Sequence, residues 1–197
     1  KELLQSFLAF FCQLCYNKTQ TCVKGCYENM QDNYIMIGMP GSGKSTLGKI
    51  LASRIGYDFL DTDDLLIAHY QKPLMHIIEE RGVEGFIQAE GEILQTVQVS
   101  HTVLATGGSA VYSHQAMEYL RTIGTVLYLK YDVSDIAARV GNLLTRGVVC
   151  RNCTTLQELY DQRKPLYEQY ADRTIELSGC PLEESIQRVL QCVQNET

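Results

Sequence analysis

Short apolar runs alternate with amphipathic segments along most of this 197-residue chain. Such alternation is typical of β-strands joined by helices, which build a parallel sheet covered by helices. The strands are predicted at Tyr34–Ile37, Asp58–Asp61, Thr102–Ala105, Thr125–Tyr131 and Thr174–Leu177. The helices are predicted at Lys44–Ile55, Asp63–Tyr70, Pro73–Arg81, Gly82–Val97, Ser113–Thr122, Ser134–Val140, Thr155–Tyr170 and Pro181–Asn195. The pattern therefore predicts the α/β class, as a three-layer sandwich with a parallel five-stranded sheet flanked by helices.

Three segments depart from the simple alternation. Residues 1–29 precede the first predicted strand, and we expect a helical or disordered extension there, followed by a single domain over 30–197. Short helices within 63–97 form an insertion after the second strand. The segment Asn142–Thr154 has no clear period and carries two arginines. That combination favours a mobile basic loop over a site.

Composition narrows the range of partners. The chain is 45% apolar and 20% charged, with a net charge of −6 and no basic run. These values argue against a nucleic-acid surface. No stretch of about 18 apolar residues is present to cross a membrane. We expect a cytoplasmic monomer that acts on a small molecule.

The chain contains eight cysteines: Cys12, Cys15, Cys22, Cys26, Cys150, Cys153, Cys180 and Cys192. Two of the pairs have the C-x-x-C spacing, and together they offer the four thiolates of a zinc site. The pairs are far apart in sequence, however, and the second lies in the predicted mobile loop. We therefore expect thiols kept reduced in the cytosol, and zinc binding stays open.

A phosphate-binding loop lies between the first predicted strand and the first predicted helix. Residues 38–45 read GMPGSGKS and match the pattern G-x-x-x-x-G-K-[ST] in full. Its amides and the following helix N-terminus bind phosphate, the lysine reaches the β- and γ-phosphates, and the last hydroxyl holds Mg²⁺. The residues expected to bind nucleotide are Gly38, Gly41, Ser42, Gly43, Lys44, Ser45 and Thr46. The motif predicts a nucleoside triphosphate with Mg²⁺ and leaves the acceptor open.

Two carboxylates follow the second predicted strand. Asp61 and Asp63 come at its end, where ligands bind in open α/β sheets. One can hold a metal-bound water, and the other can accept a proton from an attacking hydroxyl. The alternative for Asp63 is a purely structural role as a helix N-cap.

Further motifs resemble the shikimate kinase family in their order and spacing. They read FLDTDDLLI, EGF, LATGGSAV and RKPLYEQYAD, and with the phosphate loop they extend over about residues 33–192. The Asp-Thr-Asp sequence and R-x-P-L-Y discriminate best, since many nucleoside triphosphatases share the loop. The resemblance implies a P-loop kinase with a helical acceptor-binding insertion and a mobile lid. It also implies transfer of the γ-phosphate of ATP to the 3-hydroxyl of shikimate, in aromatic amino acid biosynthesis.

The resemblance also implies roles for individual residues near the nucleotide. Lys44 and Ser45 match the residues for phosphate and Mg²⁺, and Asp61 matches the acid associated with the metal. Arg146 matches a lid arginine that closes over the phosphates, and Arg139 matches one that lies against adenine. The alternative for Arg146 is an ordinary surface arginine.

On the acceptor side, Asp63 matches the acid that holds the hydroxyls and acts as base. Gly107 and Gly108 match a glycine turn under the acceptor ring, and Arg163 matches an arginine that pairs with the acceptor carboxylate. The alternative for Arg163 is an exposed position on its helix, paired with Glu158 or Glu168.

The chain departs from the family pattern in the acceptor pocket. Ile87 stands where a second arginine is usual, and Glu90 matches the acid that hydrogen-bonds that arginine. Ser109 stands where a third glycine is common. An isoleucine cannot replace a guanidinium, so Lys72 or Arg81 is a candidate for the missing charge. Two other functions therefore stay open: a kinase for another hydroxy acid, and a nucleotide-binding protein without catalysis.

Overall fold

The computed structural model describes residues 32–140 and 148–194. Its centre is a five-stranded sheet in the order β2-β3-β1-β4-β5, with every neighbouring pair parallel. The strands are β1 (Asn33–Ile37), β2 (Asp58–Asp61), β3 (Thr102–Ala105), β4 (Gly124–Lys130) and β5 (Arg173–Glu176). This confirms the predicted fold class, and each strand lies within two residues of its predicted bounds.

Seven α-helices cover the sheet in the described part of the chain. They are α1 (Lys44–Ile55), α2 (Thr62–Tyr70), α3 (Leu74–Leu94), α4 (His114–Ile123), α5 (Val133–Val140), α6 (Leu156–Tyr170) and α7 (Leu182–Gln194). A short 3₁₀ turn, Ala110–Tyr112, precedes α4 and was not predicted. Ser113 and Thr155, predicted as the first residues of two helices, are the N-caps of α4 and α6. Their side chains accept hydrogen bonds from backbone N–H groups in the first turns of these helices.

The main core lies between the sheet and its helices. β1 is the middle strand, and Ile35, Met36 and Ile37 are fully buried. A central parallel strand is covered on both faces, which explains its unbroken apolar run. Because β1 and β3 are neighbours, the chain segments that follow these two strands emerge side by side at the same edge. The phosphate loop and the glycine turn are these two segments.

The insertion after β2 confirms the prediction of two helices that meet at Gly82. Both lie within α3, where Gly82 (φ 69°, ψ 176°) has a non-helical backbone and separates one helix from the other. Glycine adopts this conformation without the penalty that a side chain would bring. A second apolar cluster lies in this region, with buried members Leu66, Ile77, Phe86, Ile87, Ile93 and Val149. Ile87 is therefore a core residue of the insertion.

Cys150 and Cys153 lie close together, with 5.7 Å between their Cα atoms. Their Cα separation falls in the range that a disulfide allows, and the positive φ of Asn152 shapes the tight turn between them. No helix in the described ranges is long and apolar enough to cross a membrane. The extension over 1–29, with its four cysteines, and Arg146 lie outside the described residues.

Candidate active site

The phosphate loop connects β1 to α1 and is shaped by its glycines. Gly38 has φ of 148°, and a Cβ there would lie 2.8 Å from the carbonyl oxygen of Leu129. Gly43 has φ of 84° and directly precedes α1. Both positions therefore require glycine. The resulting loop presents its amides and the N-terminus of α1 to the same space, which suits an anion.

Lys44 is the first residue of α1, and its side chain folds back over the loop. Its Nζ donates to the carbonyl oxygens of Gly38 and Met39, both at 2.9 Å, and lies 3.4 Å from the hydroxyl of Ser42. Burial lowers the pKa of Lys44 to about 8, against the opposing attraction of the Asp63 carboxylate. The ammonium group is thus held beside the loop, where it can exchange carbonyl partners for phosphate oxygens.

Ser45 and Asp61 form the pair expected to hold Mg²⁺. The Ser45 hydroxyl donates to Oδ2 of Asp61 at 2.6 Å, so the end of β2 lies against the start of α1. A hydroxyl and a carboxylate are hard oxygen ligands of the kind that Mg²⁺ prefers, usually with several waters. The donor set therefore fits the predicted ion. Elsewhere, the described residues contain no group of three or more side chains suited to a metal.

Asp63 lies in the first turn of α2 and is half-buried beside the loop. The N-cap of α2 is Asp61, whose Oδ1 accepts from the backbone N–H of Asp63 at 3.1 Å. Asp63 is therefore not an N-cap, and its side chain is left for another role. Burial and the nearby Asp61 carboxylate raise the pKa of Asp63 to about 6. A carboxylate with this pKa remains largely ionised at neutral pH and can accept a proton.

The glycine turn after β3, formed by Gly107 and Gly108, faces the side chains of Asp63 and Glu90. A Cβ on Gly107 would lie 2.1 Å from Oε1 of Glu90 and 3.1 Å from Oδ1 of Asp63. A Cβ on Gly108 would lie 2.8 Å from Nη1 of Arg163 and 3.1 Å from the ring of Pro40. The turn is therefore bare because polar groups approach it from three sides. Its backbone is fixed by the hydroxyl of Tyr167, which donates to the carbonyl of Gly108 at 2.7 Å.

Arg163 reaches this turn from α6 and is almost completely buried, with 1% of its surface exposed. Its Nε donates to the hydroxyl of Tyr112 at 3.3 Å, and Nη2 donates to the carbonyl of Val149. Nη1 has no hydrogen-bond partner among the described residues. The predicted alternative, an exposed arginine paired with a glutamate of its own helix, is wrong.

Glu90 and Ser109 form a contact that the sequence analysis did not predict. Glu90 on α3 is 1% exposed, and its Oε2 accepts from the Ser109 hydroxyl at 2.6 Å. Its Oε1 has no partner among the described residues. Burial raises the pKa of Glu90 to about 7. No motif signals such a pair, because the two residues are 19 positions apart.

These groups line one cavity of about 330 Å³ at the carboxyl edge of the sheet. Its described lining includes most of the predicted site: Gly41, Gly43, Lys44, Ser45, Thr46, Asp61, Asp63, Gly107, Gly108 and Arg163. Gly38 and Ser42 shape the loop behind it. Phe86, Val148 and Val149 also line it and were not predicted as site residues. Glu90 and Ser109 line it too, as expected from their places in the acceptor pocket, although no binding role was predicted for them.

The other predicted cations lie elsewhere in the described structure. Arg139 is exposed, and its guanidinium stacks on the ring of Tyr131 at 4.0 Å. The side chain of Lys72 pairs with Glu80, and Arg81 lies over the ring of Tyr70. Neither Lys72 nor Arg81 is among the described residues that line the cavity. Neither therefore replaces the arginine that Ile87 displaces.

Comparison with known proteins identifies relatives over most of the chain. The family model described as "Shikimate kinase" matches residues 40–194. The chain is 32% identical to shikimate kinase 2 of Yersinia enterocolitica, over 85% of this chain and 98% of that protein. It is 36% identical to the shikimate kinase of Neisseria gonorrhoeae, over 83% and 97% of the respective chains.

Among solved structures, shikimate kinase from Acinetobacter baumannii in complex with shikimate matches with a TM-score of 0.75. The two chains are 29% identical, over 85% of this chain and 95% of the other. Shikimate kinase from Aquifex aeolicus matches with a TM-score of 0.71 at 23% identity, over 83% and 96% of the two chains. The latter likeness concerns the fold alone.

Proposed function

This chain belongs to the shikimate kinase family, and on that premise we propose that it transfers the γ-phosphate of ATP to the 3-hydroxyl of shikimate. The observation that carries the proposal is the shared cavity of Lys44, Asp63 and Arg163. A phosphate-binding cation, a carboxylate and a second buried cation meet there around one glycine turn. An acceptor with both a hydroxyl and a carboxylate group suits this arrangement.

The acceptor binds over the turn with its carboxylate at Arg163. The guanidinium is held by Tyr112 and Val149, which leaves Nη1 for the acceptor. Fixing the carboxylate there directs the ring toward the glycine turn, into the space that Asp63 and Glu90 border. The hydroxyl to be phosphorylated then lies at Asp63. Such positioning accounts for much of the catalysis in phosphoryl transfer.

Asp63 aligns the hydroxyl and accepts its proton as the oxygen attacks the γ-phosphorus. The new O–P bond forms while the bond to the bridging β,γ-oxygen breaks, and ADP leaves with that electron pair. Lys44 shifts from the loop carbonyls to the β- and γ-phosphate oxygens and neutralises charge there. The proton remains on Asp63 until product is released to solvent.

Ser45 and Asp61 would hold Mg²⁺, directly or through water. Bound there, the ion supplies further neutralisation of phosphate charge. Arg146 follows α5 in sequence, and we assign it to the lid over the nucleotide by resemblance alone. Arg139, in the last turn of α5, belongs to the adenine side in the same assignment.

A coupled assay of ADP release tests the proposal. Shikimate is compared with a panel of polyols and other hydroxy acids, each with ATP and Mg²⁺, and with ATP alone as the baseline. We expect ADP release to depend on shikimate, with equimolar shikimate 3-phosphate as product. Release with a different hydroxy acid but not with shikimate would replace the acceptor. ATP binding with no turnover for any acceptor would favour a non-catalytic protein.

A further inference from the structure

Two buried polar atoms that approach the glycine turn lack hydrogen-bond partners among the described residues. One is Nη1 of Arg163, which the proposed function assigns to the acceptor carboxylate. The other is Oε1 of Glu90, which approaches the face of Gly107. An unpartnered buried polar atom is costly, and in a cavity wall it points to a ligand. Oε1 of Glu90 therefore indicates a second contact to a ligand in the same cavity.

The surroundings of Glu90 disfavour a negative charge. The charged groups that face it are Asp63 from α2, Arg163 from α6 and Lys44 from the start of α1. The phenol of Tyr167, also on α6, faces it as well, and burial raises the pKa of Tyr167 to about 12, so it stays neutral. Both cations hydrogen-bond elsewhere, and no ion pair to Glu90 occurs among the described residues. Where an arginine would come from its own helix, one turn away, the chain has the buried apolar Ile87.

Ser109 and the start of α4 complete the surroundings of Glu90 without adding charge. Ser109 gives Oε2 a hydroxyl hydrogen bond of 2.6 Å, which orients the carboxyl group but does not neutralise it. Next to Glu90 on α3, Gly91 packs against Ser113, so the N-terminus of α4 also presents a neutral hydroxyl. A glutamate in these surroundings is stabilised by taking up a proton.

We propose that Glu90 recognises the acceptor in its protonated form, with Ser109 holding Oε2 while Oε1–H donates to an acceptor oxygen above Gly107. The proposal rests on the proposed function, since it concerns the same acceptor. With Glu90 neutral, the Asp63 carboxylate meets no second charge from α3, and the neighbouring Asp61 carboxylate is hydrogen-bonded to Ser45. The Glu90–Ser109 pair thus replaces a cation with a neutral donor in the acceptor pocket. The pair therefore contributes to acceptor specificity. It also connects the two departures from the family pattern, because Ser109 orients the acid that Ile87 leaves without an arginine.

The proposal predicts that binding of the acceptor takes up a proton. Burial raises the pKa of Glu90 to about 7, so at lower pH the free protein already carries the proton. At higher pH the proton must be bound together with the acceptor. We expect the acceptor Kd to rise about tenfold per pH unit above pH 7, in the range above the pKa of about 6 at which Asp63 titrates. Proton uptake should approach one per acceptor bound.

Titration calorimetry of shikimate into the full chain tests this, in buffers of different ionisation enthalpy between pH 6 and pH 9. Glu90→Gln imitates the neutral acid and keeps a donor, so it should bind shikimate with a pH-independent Kd and without proton uptake. Glu92→Gln makes the same change at an exposed position on the same helix and should behave as the wild type. Ser109→Ala removes a hydrogen bond that stabilises the ionised acid, so the onset of uptake should move to higher pH.

The possible outcomes separate this inference from the proposed function. Binding without proton uptake, or equal uptake in Glu90→Gln, overturns the role of Glu90 even if ADP is released with shikimate. Proton-linked binding without any ADP release supports Glu90 and overturns the kinase activity. No binding of shikimate at any pH rejects both. If Glu90→Gln does not fold, the Ser109→Ala profile decides, and an unshifted onset counts against the proposal.

Discussion

Replacing Arg163 by lysine separates geometry from charge in the acceptor site. The guanidinium uses Nε for Tyr112 and Nη2 for Val149, which leaves Nη1 for the acceptor. A lysine keeps the positive charge, but its donors all belong to one nitrogen and cannot span three directions. The variant must therefore give up either its protein partners or the acceptor.

A hydrogen bond to a charged group contributes about 1.5–3 kcal/mol. Because 1.4 kcal/mol corresponds to a factor of about ten, Arg163→Lys should lower kcat/KM for shikimate about 10- to 100-fold. The KM for ATP should change less than about threefold, because lysine keeps the positive charge that Lys44 experiences from position 163. ADP release is measured with each substrate varied while the other is saturating.

Arg121→Lys is the matched control, because Arg121 on α4 makes exposed ion pairs with Glu118 and Asp172 and does not line the described cavity. Exposed pairs contribute at most about 1 kcal/mol, so this variant should keep wild-type kinetics. If folded Arg163→Lys also kept a wild-type kcat/KM for shikimate, the assignment of the carboxylate to Arg163 would be refuted.

Three further perturbations probe the rest of the cavity. Lys44→Ala should reduce the rate of ADP release by about 100- to 1,000-fold, because it removes a group that stabilises the charge of the transition state. A near-normal rate would contradict the role of Lys44. Gly107→Ala places a methyl group 2.1 Å from Oε1 of Glu90. The free energy of unfolding should therefore fall by about 1–3 kcal/mol, and the KM for the acceptor should rise. An unchanged KM for the acceptor would show that the turn does not face the acceptor. Folding raises the pKa of Glu90 from 4.5 to about 7. The protonated side chain therefore contributes stability that is fully present below pH 4.5 and is lost as the pH rises through 7. Urea unfolding across this range should show the free energy of unfolding fall by up to about 3 kcal/mol. Glu90→Gln should flatten that part of the stability profile, and an identical slope in the variant would argue against the buried acid as its source.

Features set by neighbouring residues were predictable from the sequence. The phosphate loop needs glycines within one strand-turn-helix unit, and Gly38 and Gly43 have the positive φ values that such a turn requires. The pairing of Ser45 with Asp61 follows from the parallel sheet, since both lie where its strands end. These parts of the cavity depend on local rules and on a sheet topology that apolar periodicity indicates.

Features that depend on distant contacts were not predictable. Ser109 and Glu90 meet only when α3 packs behind the glycine turn, and neither belongs to a local pattern that signals the other. Arg163 donates a hydrogen bond to the backbone carbonyl of Val149. Since every residue has such a carbonyl, the identity of residue 149 does not signal this contact. The close approach of Cys150 and Cys153 depends on a tight turn that spacing alone does not specify. The 3₁₀ turn at Ala110–Tyr112 is too short to have a period.

The central claim is that Asp63 aims an acceptor hydroxyl at a phosphate held by the loop. Transfer of radiolabelled phosphate from γ-labelled ATP to shikimate, compared between the wild type and Asp63→Asn, tests it most directly. The account predicts labelled shikimate 3-phosphate from the wild type. It predicts transfer slower by about 100-fold or more in the variant, with ATP affinity unchanged. Wild-type transfer by Asp63→Asn, or no label on shikimate from the wild type, would contradict it.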